Sequence, residues 1–226
     1  MSDSRDMLSV PAQDLKAVLP FRADQDVRYY LNGVLVKPCE GGGCLLVATD
    51  GHTLAVYRSE EAWTDKARIL KINEDMEKAL RKATTLHSAR RVAVADEKAR
   101  VVFHDERQEL HIQPGDAFVD YDGDKYPDFY KVIPPVEHLK PGTLSSLNAE
   151  YLGWLESACH GARWIDVRFW HDGRKPEEGV TVARFGPMPG LVVLIMAMRS
   201  KHEFTWPDWM PREPQATEPA PEESAA

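Results

Sequence analysis

Apolar and polar positions along this chain alternate mostly with period two, in short bursts, and lengthen to a helical period in three places. Met7-Leu8-Ser9-Val10-Pro11 reads as a strand, followed by a helix over Ala12 to Leu19 that Pro20 stops and whose polar side carries Asp14 and Lys16. Val27 to Val36 reads as a strand, with Asn32-Gly33 inside it predicting a bulge or a hairpin. Leu45 to Thr49 and Thr53 to Arg58 flank Asp50-Gly51-His52, a strand, tight turn, strand unit. A strand over Ala67 to Lys71 leads to Asn73, which caps a helix running to about Leu86, with Met76, Ala79, Leu80 and Ala83 on its apolar face and Lys78, Arg81 and Lys82 on the other. Three period-two runs between Arg91 and Phe118 predict an antiparallel meander.

The Pro-rich segment after Tyr126 marks a boundary. Beyond it the same grammar returns in shorter form. A strand over Gly142 to Leu147 precedes a helix from Ala149 to about His160 with Asn148 as its cap, then strands over Trp164 to Trp170, Gly179 to Phe185 and Leu191 to Met198. The expected class is α+β, with units over residues 7–135 and 136–200. Residues 201–226 form a Pro/Glu/Ala/Ser-rich tail expected to be largely disordered, apart from an aromatic start of the kind that orders by docking.

The net charge of −8 argues against indiscriminate attraction to nucleic acid, but the tail, with two basic and six acidic residues, carries −4 of it. No apolar run approaches a membrane span, and the chain reads as cytoplasmic. Cys39, Cys44 and Cys159 form neither a paired framework nor a zinc pattern. Asp120, Asp122 and Asp124 are spaced like calcium ligands but lack the loop's glycine position and terminal Glu. His52 beside Asp50 has no nucleophile in a recognisable elbow, so it reads as a turn histidine. No catalytic residue, metal or cofactor is expected.

Four segments carry a family resemblance: Gln25 to Gly33, Val47 to Val56, Tyr126 to Pro134, and Met196-Ala197-Met198-Arg199. In wording and order they resemble the bacterial DNA polymerase III β subunit, the sliding clamp, through its middle domain and then the second half of its third domain. The resemblance implies the DNA clamp fold and a non-enzymatic processivity factor or accessory. Its homo-oligomer closes a ring on duplex DNA, and its partners, polymerases and repair proteins, dock short peptides rich in Gln, Leu and Phe. The implied groove is walled by Leu31, Thr49, Gly51, His52, Thr53 and Leu54, by Pro127, Lys131 and Val132 on the connector, and by Asn148, Tyr151, Met196, Ala197, Met198 and Arg199. The implied DNA-facing residues are Lys16, Lys78, Arg81 and Lys82.

Three features depart from the family pattern. Thr53 stands where the family has Arg, Ala197 stands between the methionines in place of Pro, and the chain continues past Arg199. The sequence holds about three of the six helix-plus-strands half-units of a clamp subunit. A closed ring of twelve half-units would therefore need four chains, with a non-ring dimer as the alternative. A clamp-fold interaction module that does not encircle DNA is the alternative function.

Overall fold

A computed structural model describes residues 6–82, 91–95, 100–102, 109–111, 118–119, 126–141, 146–159, 166–174 and 179–199. The acidic run at Asp120, the helix end expected near Leu86 and the 201–226 tail lie outside these residues.

Strand β1 (Asp6–Pro11) leads directly into helix α1 (Ala12–Val18) and a 3-10 turn over Leu19–Phe21 that includes Pro20. Strands β2 (Gly33–Pro38), β3 (Cys44–Thr49) and β4 (Thr53–Ser59) form the next antiparallel run. After β5 (Trp63–Thr64) and β6 (Arg68–Lys71) comes α2 (Glu74–Lys82), capped as the sequence predicts: Asn73 Oδ1 accepts the Met76 N–H at 2.8 Å. Strands β7 (Arg91–Ala95), β8 (Arg100–Val102), β9 (Glu109–His111) and β10 (Phe118–Val119) follow. They do not make one meander. β7 pairs with β1, β8 with β9, and β10 with β6.

The C-terminal part of the chain supplies β11 (Lys140–Pro141), α3 (Glu150–Ala158), β12 (Val167–His171), β13 (Val180–Phe185) and β14 (Leu191–Met196). Its strands continue the sheet begun by β2, β3 and β4. β14 runs antiparallel to β4, so one nine-stranded sheet is ordered β10-β6-β2-β3-β4-β14-β13-β12-β11. Side chains in register share a face, and the rung Leu35, Val47, Val56, Val192 crosses the seam between the units without interruption. One sheet face carries Leu46, Ala55, Ala183 and Val193 under α1, α2 and α3. Here Phe21 meets Trp154 edge to face at 6.1 Å. The opposite face carries Leu54, Val56, Val182 and Leu194, covered by the connector through Tyr126 and Phe129.

Two sequence expectations need correction. Only Gly33 onward is strand; Tyr29–Asn32 is a 3-10 turn. The Asn32 side chain accepts the Asp26 N–H and donates to the Asp26 carbonyl, both at 2.9 Å, and this closed loop overrides the β-propensity of Tyr29 and Tyr30. Gly33 opens the strand at close quarters, since a Cβ there would stand 2.6 Å from the Leu70 carbonyl oxygen. Lys16, expected on a polar face, is only 8% exposed. It shares the stripe of Ala12 and Leu15, so its stem packs inward, and burial lowers the pKa of its amine.

Candidate functional site

The β3–β4 turn is held by its own side chains. Asp50 Oδ1 accepts from the His52 N–H at 2.8 Å, the Thr53 N–H at 2.6 Å and the Thr53 hydroxyl at 2.9 Å. Thr49 Oγ1 accepts the Gly51 N–H and donates to the Thr53 carbonyl. Gly51 sits at φ +93°, and a Cβ there would lie 3.2 Å from the Arg28 guanidinium. That guanidinium forks onto Asp26 and donates to the Asp50 carbonyl at 3.3 Å. Its hydrogen bonds hold the Asp26 carboxyl down at about 2. With Asp50 Oδ1 taken by three donors of its own turn, that oxygen does not serve to orient the His52 imidazole. His52 is exposed, and Thr53 is buried as a staple of the turn, not as a surface residue.

The end of β14 arrives beside this turn. Ile195 pairs with Thr53 and Leu194 with Leu54, and the Met196 N–H donates to the His52 carbonyl at 3.0 Å. The chain then leaves the ladder but keeps its amides bonded, Ala197 to the Gly179 carbonyl and Met198 to the Ser146 carbonyl. Ser146 precedes Asn148, whose Oδ1 accepts the Glu150 N–H at the start of α3. One turn on, burial and then the Asp50 and Glu150 carboxylates raise the pKa of Tyr151. Met196 and Met198 are 54% and 49% exposed, and Arg199 is exposed beside them.

Leu31 and Leu54 are buried in one cluster with Val180, Val182 and Leu194. On the connector, Phe129 packs into the same cluster, and the Tyr126 hydroxyl donates to the Val47 carbonyl at 3.3 Å. Their neighbours Pro127, Lys131 and Val132 face solvent, Val132 at 55% exposure and Lys131 paired to Asp128 at 3.3 Å. Backbone pairing thus joins residues 52–54 to 194–196, Met198 is tied to Ser146 just before Asn148, and the connector positions flank buried Tyr126 and Phe129. Sequence reasoning missed Arg28, Ser146 and Gly179, which act through backbone or turn contacts that no periodicity reveals. Leu194 was readable only as one apolar residue in a strand.

The helix side is different in character. A 780 Å³ cavity there is lined by Leu19, Arg22, Asp24, Glu77, Glu150 and Trp154 among others, and touches the turn only through Asp50. Arg22 is engaged by Glu77. Exposed Lys78 pairs with Glu74 at 3.5 Å. The Arg81 and Lys82 side chains lie outside the described residues. Among the described residues no helix is long and apolar enough to cross a membrane.

No protein-family model and no curated protein matches the sequence. Solved structures do match in fold. The DNA polymerase III subunit β of Pseudomonas aeruginosa aligns with TM-score 0.59 at 17% identity, covering 88% of this chain and 68% of that one. A sliding clamp of Pseudomonas aeruginosa bound to griselimycin aligns with TM-score 0.55 at 19% identity, covering 88% and 67%. The chain has the α+β sliding-clamp fold over about two thirds of a clamp subunit's length.

Proposed function

We propose that this chain is a non-enzymatic, clamp-fold tethering protein that captures short Gln-, Leu- and Phe-rich peptides of DNA polymerases or repair proteins at the β4–β14 seam. The observation that carries the reading is the Met196-to-His52 hydrogen bond, because it joins two walls that come from opposite ends of the chain. Exposed methionines beside an apolar cluster suit peptides of varied shape, since thioethers repack at little cost. Buried Thr53 removes the positive charge that the family pattern has at that place, so the site favours apolar anchors over acidic ones. Fluorescence anisotropy of a labelled Gln-Leu-Phe-rich peptide tests the reading: the full chain binds it, and Met198→Glu weakens binding by about tenfold or more, since a charge desolvated in an apolar site costs at least ~1.4 kcal/mol.

Ring closure on DNA is the finer question, and the helix side favours the reading in which this chain does not encircle DNA. Phosphate attraction needs available Lys and Arg; among the described residues Lys16 is buried, Arg22 is held by Glu77 and exposed Lys78 pairs with Glu74, while α3 carries Glu150 and Glu156. In this reading the protein competes for or gathers replication partners in the cytoplasm. Salt-resistant retention on circular DNA that is lost on linearisation, together with a light-scattering mass of four chains, would instead establish the ring.

A further inference from the structure

We infer that the chain carries its own occupant for the seam groove: the segment Phe204-Thr205-Trp206-Pro207-Asp208-Trp209-Met210 docks in cis and competes with external peptides. The inference rests on the proposed peptide site and adds its regulation.

Three observations support it. The Met198 N–H is fixed to the Ser146 carbonyl, and Arg199 is exposed immediately beyond, so the segment that follows starts beside the proposed site. Two apolar side chains at that end, Met196 and Met198, are about half exposed. The sequence that follows is the most aromatic stretch of the tail, with Phe204, Trp206 and Trp209 in eleven residues after Arg199 and prolines at 207 and 211 that disfavour a helix.

The reach is sufficient. At ~3.5 Å per residue, Phe204 travels up to about 17 Å from Arg199 and Trp209 up to about 35 Å. The seam from Met196 back to Val192 is only about 14 Å long. Tethering through so short a linker gives an effective concentration on the order of 1 mM. Even a segment with an intrinsic Kd of ~0.1 mM then fills the groove most of the time and weakens an external peptide about tenfold.

The test uses the full chain with methyl-labelled methionine, as wild type and as Phe204→Ala/Trp206→Ala/Trp209→Ala. The Met196 and Met198 methyl resonances are expected to shift between the two proteins while Met188, buried in the helix-side core, stays in place. The variant is expected to bind the labelled peptide about tenfold more tightly. Identical Met196 and Met198 resonances in both proteins overturn the inference. Shifts that vanish on dilution also overturn it, because they assign the aromatic segment to a neighbouring copy. A variant whose methionines shift but which binds no peptide leaves the docking standing and removes the tethering function.

Discussion

Met196 donates its backbone N–H to the carbonyl of His52 at 3.0 Å, closing a ladder in which Leu194 faces Leu54 and Val192 faces Val56. The proposed groove residues of β4 and β14 therefore lie on neighbouring strands in the interior of one sheet. Their spacing is set by backbone hydrogen bonds.

Because the seam lies within the core, loosening it unfolds the protein. Leu194 is 3% exposed and sits opposite Leu54. Leu194→Ala is expected to cost about 2–5 kcal/mol, as for other buried leucines truncated in a packed core. Val27→Ala, at a side chain 95% exposed, should cost nothing measurable. Urea midpoints of the two variants check this, and equal midpoints would mean that the seam is not part of the cooperative unit.

Asp50 is the acceptor around which the turn is built, and Gly51 is the residue that lets the backbone turn there. Asp50→Ala removes the partner of two backbone amides and a buried hydroxyl and should destabilise by roughly 1–3 kcal/mol. Asp50→Asn keeps the oxygen and should retain most of that. Gly51→Ala forces a Cβ to φ +93° against Arg28 and should cost ~1–2 kcal/mol. In all three, peptide affinity should fall in the order of the destabilisation, read by anisotropy beside thermal melts.

Alkaline pH should weaken the fold. Burial pushes the Cys44 and Cys159 thiols up to about 11 each, and burial together with Asp14 pushes the Tyr57 phenol up to about 12. Each is an acid whose neutral form the folded state favours. Their contribution is therefore complete below the unfolded thiol value of ~8.5 and is lost as pH rises through about 11 to 12. Urea midpoints should hold to about pH 8 and then fall. Alkylation at pH 8 should modify half-exposed Cys39 well before buried Cys44 and Cys159, as peptide mass mapping would report.

The sequence exposes local instructions well. Asp50-Gly51 between two apolar runs specifies the turn, and Asn73 and Asn148 mark two helix starts, because each rule involves residues only a few positions apart. Lys16 misleads, since a charged head says nothing about where a long apolar stem packs. Tyr29 to Asn32 misleads because the Asn32 side chain, bonded to both the N–H and the carbonyl of Asp26, outweighs strand propensity. The β4–β14 pairing has no local signature. β14 is apolar throughout and β4 holds an apolar run between Thr53 and Tyr57, and nothing in Thr53 to Ser59 names Leu191 to Met196 as its neighbour. The family resemblance supplied what periodicity could not, by naming residues on both sides of the seam.

The most direct measurement of the central claim is a photo-crosslink. A Gln-Leu-Phe-rich peptide with a photoreactive group at its Phe position is irradiated with the full chain, and the adducts are mapped by mass spectrometry. Adducts are expected on residues 49–54 and 196–199, competed away by unlabelled peptide. Adducts confined to the helix side, around Trp154 and Leu19, or spread evenly over the surface, would contradict it.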